Sequence, residues 1–484
     1  MGFTFRGGGS IYIPMSNTRL NQPSDSGLPQ RTLFENRAKE ADERAAEPKN
    51  TPRVPRIRQA QRDQMEWLPM ALDDLIPKDH EARSVWEFVG KMNLSPLYAR
   101  IAAVEGVPGR SPIDPKILMA IWLYATIDGV GSARRLDELC RHHHVYRWLC
   151  GGVSVNYHTL ADFRTQHAEL LSQLLTESVA SLLSAGLIEL NRVAQDGMRV
   201  RASAGSSSFR RRATLEDCYT EAKAQVEALR AELEEADPAA SNRRQEAARQ
   251  RAVREKAARL QHALEEMAKL ESQKESREKG SKEKARVSTT DPEARKMKMG
   301  DGGFRPAYNV QFSTTTDSQV IVGVDVTNSG SDNGQMAPMN EQIYGRYDES
   351  PGETLVDGGF STLKDIESLT TSDHGTVVYA PVKDEEKKRS RGENPFAPRA
   401  GDTPAIAAWR QRMGTENAKE IYKERAATAE CVNAIARNRN LWFIRVRGLV
   451  KARAIALWYA LAHNLRRALA LRAEVKKLSP QAAT

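Results

Sequence analysis

The sequence has few cysteines, few aromatic residues and no long apolar run. Apolar residues still make up 40% of the 484 positions, which is enough for a sizeable core, while aromatics make up only 6%. The longest apolar stretch, about residues 117–127, is well short of the ~20 residues that span a bilayer. No charged-then-apolar leader opens the chain, so we expect a cytoplasmic rather than a secreted protein. The four cysteines lie far apart, predict no disulfide framework and suit a reducing compartment: Cys140, Cys150, Cys218 and Cys431.

Basic residues are in excess, and the excess is concentrated near the carboxyl end. The chain has 72 Lys and Arg against 63 Asp and Glu, a formal charge of +9 that favours an anionic partner. Residues 437–477 contain eleven Lys or Arg and one acid. Because Trp442, Phe443, Trp458 and Tyr459 are interleaved with these bases, the strip predicts phosphate binding. A solvated basic face on an amphipathic helix is the alternative.

Composition divides the chain into four predicted parts. Residues 1–62, rich in Gly, Pro, Ser and charge, predict a disordered arm. Residues 63–190 carry helix-cap signals, such as Asp114 before Pro115, and predict a helical DNA-binding domain or, alternatively, a plain helical bundle. Residues 191–470 predict a mixed α/β domain, interrupted at 205–297 by a helical hairpin rich in Ala, Glu, Arg and Lys. Residues 471–484 would form a tail.

The pattern after residue 191 predicts the order β, insertion, β, β, α, β, α, β, loop, α. Three strands in succession and then alternating helices and strands favour one mixed sheet flanked by helices. We therefore expect a mixed α/β fold with an all-α amino-terminal part. The strand signals are Arg192–Val200, Tyr308–Ser313, Gln319–Thr327, Thr354–Val356 and Thr376–Val382.

Three carboxylates occupy notable places in this order. Asp196 lies in the first strand, Asp357 ends the fourth strand before two glycines, and Glu430 lies in a predicted helix. If the first and fourth strands are neighbours, both aspartates meet at one place on the sheet and the helix can bring Glu430 to them. Three converging acids without matched bases would repel one another unless a divalent cation neutralised them, and carboxylate oxygens suit Mg²⁺ or Mn²⁺. Taken singly, each acid is as well explained by a turn or a solvated helix face.

The helix predicted over Glu416–Arg437 adds basic groups to this site. Seven residues rotate a helix by about 700°, so Lys423, Glu430 and Arg437 would share one face. Tyr422 and Arg425 would border it. This spacing favours a helix that holds metal through its acid and DNA phosphates through its bases, or else an ordinary charged stripe.

Several blocks resemble bacterial insertion-sequence DDE transposases of the ribonuclease-H-like superfamily. The three signature blocks are similar to AQDGMRV around Asp196, TLVDGGF around Asp357 and IYKERAATAECVNAIAR around Glu430. FRPAYNVQ (Phe304–Gln311) and RGLVKARAIALWYALAHNL (Arg447–Leu465) resemble the branch with a helical amino-terminal domain. The resemblance covers about residues 63–472, and it implies that residues 191–470 form a ribonuclease-H-like catalytic domain.

The resemblance also implies site residues and a cofactor. Asp196, Asp357 and Glu430 would be the catalytic triad and would bind two Mg²⁺ ions, for which Mn²⁺ could substitute. The basic and tyrosine positions of the third block would contact DNA. Four residues separate Arg425 from Glu430, whereas the family usually has three. Lys423 or a shifted register could therefore serve in place of Arg425. These DNA-binding positions are Tyr422, Lys423, Arg425 and Arg437.

The predicted function is a DNA transposase that cleaves the ends of its own insertion sequence and joins them to target DNA. Its partners would be double-stranded DNA, as terminal inverted repeats and as target, and a second copy of the chain in a homodimer on DNA. The alternatives are a ribonuclease-H-like endonuclease without strand transfer and a non-catalytic, transposase-derived DNA-binding protein. Two other features predict core packing. Cys140 and Cys150 favour burial in a helical core over a zinc site. Trp409 favours core packing over stacking on a flipped base.

Overall fold

The computed structural model describes residues 69–103, 111–235 and 243–478. All of these residues belong to one compact unit that begins at Pro69. The predicted disordered arm at residues 1–62 lies outside the described residues. The tail predicted from residue 471 lies outside them from 479 onward, and its first eight residues continue the last helix.

The amino-terminal part is entirely helical. Its caps follow the sequence signals: the Asp114 carboxylate accepts the Lys116 backbone N–H at 2.8 Å at the start of one helix. Gly129, at φ +74°, takes the left-handed conformation just after that helix ends. The helices are α1 (Glu81–Gly90), α2 (Ser95–Tyr98), α3 (Pro115–Ile127), α4 (Ala133–His142), α5 (His144–Cys150), α6 (Tyr157–Gln166) and α7 (Ala168–Ser184).

A mixed sheet follows, and its strand β1 lies at the junction of parallel and antiparallel pairing. β1 runs antiparallel to β5 and parallel to β7, in the order β4-β5-β1-β7-β8, and β6 pairs with β5 as well. The first and fourth strands predicted from sequence, β1 and β7, are therefore neighbours. The strands are β1 (Arg192–Arg201), β2 (Phe209–Arg210), β3 (Val287–Ser288), β4 (Arg295–Lys298), β5 (Phe304–Thr315), β6 (Ile321–Thr327), β7 (Glu353–Leu355) and β8 (Val377–Tyr379).

Between β2 and β3 the chain forms the predicted helical hairpin from α8 (Arg212–Glu235) and α9 (Arg243–Arg277). The two helices are antiparallel, since Glu232 pairs with Arg249 near one end and Arg212 with Glu271 near the other. The hairpin has a small core of its own, separate from that of the sheet: Leu215, Ala222, Leu260, Ala263, Met267, Ala285 and Val287.

The remaining helices flank the sheet, and one of them departs from the sequence prediction. The helix predicted over Glu416–Arg437 is split by a π-helical turn, Ala426–Glu430, so that prediction is wrong in its continuity. A short helix also occupies part of the predicted polar loop. The helices are α10 (Met336–Tyr347), α11 (Leu363–Thr371), α12 (Glu385–Ser390), α13 (Pro404–Met413), α14 (Glu416–Arg425), α15 (Cys431–Asn438) and α16 (Leu449–Leu478).

Helix α16 joins the helical part to the sheet. Ten successive residues, 456–465, are buried, as expected of a helix that is surrounded by protein on all sides. One apolar core runs from Trp122 of α3 through Trp458 of α16 to Val324 of β6. The mixed α/β fold class with a helical amino-terminal part and an inserted hairpin is confirmed, and the helical part shares its core with the sheet.

In the part of the chain that is described, no helix combines the length and the apolarity needed to cross a bilayer.

Candidate active site

Asp196 and Asp357 lie on adjacent parallel strands at the same level. In the β1–β7 register Ala194 is opposite Leu355. The same register, continued by two residues, brings Asp196 level with Asp357, which lies two residues beyond the end of β7. The sheet therefore places these two predicted site residues side by side.

Two hydrogen bonds fix the Asp196 carboxylate. Its Oδ1 accepts the Gly197 backbone N–H at 2.8 Å, and its Oδ2 accepts Nδ2 of Asn433 in α15, also at 2.8 Å. Burial raises the pKa of Asp196, and the negative charge of Asp357 raises it further. A half-buried acid beside a second acid is a place where a cation is electrostatically favoured.

The Asp357 carboxylate is fixed by the glycine turn that follows it. Gly359 N–H donates to Asp357 Oδ1 at 2.8 Å. A Cβ at Gly359 would lie 2.9 Å from that oxygen, whereas the nearest heavy atom to a Cβ at Gly358 is 4.0 Å away, on Pro381. Of the two glycines, only Gly359 is required by close approach to the acid.

Because a Cβ would collide with Asp357 at position 359 but has space at position 358, we expect Gly359→Ala to impair DNA cleavage and Gly358→Ala not to. The new methyl group displaces the Asp357 carboxylate, and a shift of about 1 Å in a reacting group can cost on the order of a hundredfold in rate. Nicking rates of the two variants, with circular dichroism to check folding, measure the effect. Equal rates for both variants would show that Gly359 does not set the position of Asp357.

Glu430 lies at the end of the π-helical turn, one helical turn before Asn433. Asn433, which contacts Asp196, is three residues further along the chain and therefore a neighbour of Glu430 on the helix. The Glu430 side chain is 60% exposed and accepts a hydrogen bond from Arg425 Nη2 at 2.9 Å. The third predicted acid thus lies next to the residue that contacts Asp196 and is itself bound to an arginine.

The π-helical turn explains the spacing between Arg425 and Glu430. Such a turn accommodates one residue more than an α-helical turn, and single π-helical turns occur frequently at functional sites. The four residues between Arg425 and Glu430 are absorbed in this way, and the two side chains meet. It is Arg425 itself that contacts Glu430, whereas Lys423, one of the alternatives to it, pairs with Glu420 and is 70% exposed.

Arg425 and Tyr422 connect helix α14 to the acids. Only 14% of the Arg425 side chain is exposed, and its positive charge lowers the pKa of Asp196 against the effect of burial. Tyr422 Oη donates to the Val356 carbonyl at 3.2 Å, next to Asp357. Arg437 is exposed at the end of α15. The π-helical turn breaks the regular spacing on which a common face for Lys423, Glu430 and Arg437 depended.

A fourth acid, Asp332, was missed in the sequence. It lies between β6 and α10 with 6% of its side chain exposed, and its Oδ2 forms an ion pair with Arg199 of β1 at 2.7 Å. Its Oδ1 accepts Asn309 Nδ2 at 2.7 Å and Gln311 Nε2 at 2.8 Å. The Asp332 charge also raises the pKa of Asp196. The signal was Asn309 and Gln311 in FRPAYNVQ, two polar residues on the same face of a strand, which require a buried polar partner.

The Asp332 network accounts for the glycine after Asp196. A Cβ at Gly197 would lie 2.3 Å from Asp332 Oδ1 and 2.4 Å from Gln311 Nε2. Position 197 must therefore be glycine, because a side chain there would collide with the Asp332 network where it contacts strand β1. Asp196 and Asp332 are in this way held on either side of one strand.

The charge balance of the site is negative. Four acids (Asp196, Asp332, Asp357 and Glu430) face two arginines (Arg199 and Arg425), a difference of 4 − 2 = 2 negative charges. Within the described residues no group of three His, Cys, Asp or Glu side chains is arranged to hold a metal ion. The donor set is nevertheless made of carboxylate oxygens, which suit a hard divalent cation.

The two core-packing predictions are confirmed. Cys140 and Cys150 are buried in the helical part, and Trp409 of α13, 2% exposed, belongs to an apolar cluster that also contains residues of α11.

Two protein-family models match the chain, one in each part of the fold. Transposase domain (DUF772) matches residues 70–166, in the helical part. Transposase DDE domain matches residues 396–469, which include Glu430 and most of α16. Comparisons with curated proteins and with solved structures gave no match. The matches support an insertion-sequence DDE transposase, the class that the sequence blocks predicted, and that prediction is confirmed.

Proposed function

We propose that this chain cleaves the ends of its own insertion sequence and joins them to target DNA. The observation that carries the proposal is the parallel β1–β7 pair, which sets Asp196 beside Asp357 while Asn433 ties Asp196 to the helix that starts after Glu430. The matches to transposase models support a nuclease or transposase chemistry for the chain, and one of them includes Glu430. Double-stranded DNA is the substrate in this proposal.

Asp196, Asp357 and Glu430 are the residues that would hold the divalent cations, two Mg²⁺ or Mn²⁺ ions. The raised pKa of Asp196, which comes from burial and from Asp357, supports this fit because a cation would relieve both unfavourable effects. When bound, such a pair of ions stabilises the attacking and leaving oxygens of a phosphodiester displacement.

The chain itself orients the acids. The Gly197 N–H and Asn433 Nδ2 occupy one oxygen each of Asp196, and the Gly359 N–H occupies one oxygen of Asp357, so the remaining lone pairs point in fixed directions. Arg425 offsets part of the negative charge, so that a DNA phosphate can approach, and Tyr422 holds α14 against the end of β7. Water then attacks the phosphodiester at the element end and breaks its P–O3′ bond, which frees a 3′-hydroxyl on the element. That hydroxyl attacks a phosphodiester of the target strand, and the 3′-oxygen of the target leaves as a new 3′-hydroxyl. Lys423 and Arg437, both exposed, would contact the backbone of that DNA.

The test is a strand-transfer assay with the full chain, a DNA fragment carrying the element's own ends and a supercoiled target plasmid. We expect nicked ends with a 3′-hydroxyl and joined products with a short target duplication in Mg²⁺ or Mn²⁺, and neither in EDTA. Hydrolysis without joining would replace the proposal with a ribonuclease-H-like endonuclease. DNA binding by folded protein without any cleavage would replace it with a non-catalytic DNA-binding protein. Sedimentation of the protein–DNA complex tests the expected homodimer.

A further inference from the structure

A pocket lies where the helical part meets the segment after α15. Its lining includes Trp122 and Trp458, whose indole N–H groups donate to the Leu160 and Arg164 carbonyls at 2.9 and 3.0 Å. Because both N–H groups are used in this way, the rings offer the pocket only apolar faces. The polar groups that line it are on its walls and rim.

Three arginines line this pocket, Arg164, Arg439 and Arg445, and we call it the arginine pocket. Among the described residues that line it, none is Asp or Glu. Arg164 comes from α6 in the helical part, and the other two come from the segment between α15 and α16. The pocket thus collects positive charge from both matched parts of the chain.

Arg164 is buried, and no carboxylate of the described part of the chain forms an ion pair with it. It is 8% exposed, its guanidinium lies 4.7 Å above the Trp122 ring, and its Nη1 donates to the Gly131 carbonyl at 2.6 Å. Its Nε is buried and has no hydrogen-bond partner. Burial and the positive charge of Arg445 both lower the pKa of Arg164, to about 10. Burying a guanidinium next to a second one, without an anion, is costly.

We propose that the arginine pocket binds a phosphate group. An arginine presents several N–H donors in a planar fork that fits phosphate oxygens, and an anion between Arg164 and Arg445 would remove the like-charge repulsion. Phe443, half-buried on the rim, and Trp442, 46% exposed next to it, offer rings on which a base can stack. A phosphodiester of DNA fits this combination, and that part of the proposal rests on the proposed function.

The position of the pocket relative to the acids fits a DNA strand that occupies both. Helix α15 leads from Glu430 to Arg439 in nine residues, about 13 Å at 1.5 Å per residue. Consecutive phosphates of one duplex strand advance by about 3.4 Å along the axis, so the separation corresponds to roughly four nucleotides. A phosphate in the arginine pocket would tie the helical part to the catalytic sheet close to the bond that is cut.

Thermal unfolding of the full chain in sodium phosphate, against sodium chloride at equal ionic strength, tests the pocket without any cleavage reaction. We expect phosphate to raise the unfolding temperature of the wild type, and Arg445→Gln to weaken this phosphate binding by about tenfold, as the loss of a charged hydrogen bond predicts. Arg447→Gln, which removes the same charge two residues further along and outside the pocket, should bind phosphate as the wild type does. Equal stabilisation of both variants, or none of the wild type beyond chloride, would overturn the proposal.

A second arm distinguishes DNA from a free anion as the source of the phosphate. The affinity for a duplex oligonucleotide is measured over a range of salt concentrations, and Arg445→Gln should reduce the slope of log K against log salt by about one. An unchanged slope with weakened phosphate binding would overturn the assignment to DNA. Phosphate binding by the arginine pocket does not require the acids, so Asp357→Asn should bind phosphate as the wild type does. If the cleavage proposal fails, the phosphate-binding result still stands.

Discussion

Asp357→Asn is expected to bind the element ends with unchanged affinity and to cut them at least a thousandfold more slowly. The change removes a negative charge from the pair that Asp196 and Asp357 form on adjacent strands, while the amide keeps the shape of the side chain and an oxygen for the Gly359 N–H. Charge stabilisation by bound metal contributes several kcal/mol, and about 4 kcal/mol corresponds to roughly three powers of ten in rate. Gel-shift affinity and single-turnover nicking in Mg²⁺ separate binding from cleavage.

Asp348→Asn is the matched control for this variant. It makes the same change of charge at an exposed residue beyond α10, where φ is +55° and asparagine is well tolerated. We expect this variant to bind and cleave as the wild type does. Undiminished cleavage by Asp357→Asn would remove Asp357 from the site, and equal losses in both variants would point to an effect of net charge.

Asp332→Asn is expected to lower both the stability and the cleavage rate. The carboxylate accepts hydrogen bonds from three donors, on Arg199, Asn309 and Gln311, and an amide cannot accept all three because its nitrogen is itself a donor. Breaking a buried ion pair by removing one partner costs about 3–5 kcal/mol. Urea unfolding measures the loss, and Asp373→Asn, an exposed residue before β8, is the control.

A double-mutant cycle between Asp332→Asn and Arg199→Gln tests how that loss arises. Residues in direct contact usually couple by more than 0.5 kcal/mol, whereas independent sites add. We expect coupling in the free energy of unfolding and, separately, a slower single-turnover rate in Asp332→Asn at temperatures where the protein is folded. If the folded Asp332→Asn variant cleaves DNA at the wild-type rate, Asp332 contributes to stability only and does not position β1 for cleavage.

Much of the site could be predicted because its strands carry strong local signals. The alternation around Asp196 and the Asp-Gly-Gly turn after β7 placed two acids at strand positions, and the parallel β1–β7 pairing agrees with that placement. The helix containing Glu430 was also recognised. The π-helical turn within it could not be predicted, because Ala426–Glu430 contains neither proline nor glycine and each residue suits an ordinary helix.

Asp332 and the arginine pocket were missed for a different reason: their partners are distant in the sequence. Asp332 contacts residues from β1 and β5, and Arg164 lies near Arg445 although 281 positions separate them. Hydrophobic periodicity reports on which face of one element is buried and carries no information on which other element covers it. The same limit applies to the shared core, since α16 has the pattern of a buried helix but does not reveal that it packs between the helical part and the sheet.

The separate core of the α8–α9 hairpin has a consequence for how the molecule can vary in size. Helix α9 has 35 residues and is therefore about 52 Å long, comparable to about fifteen base pairs of duplex. Since its apolar contacts are with α8 and the short strand β3 beneath it, lengthening both helices by the same number of turns adds similar contacts and leaves the acids where they are. Each added turn would lengthen the hairpin by about 5.4 Å without changing the positions of the acids on the sheet.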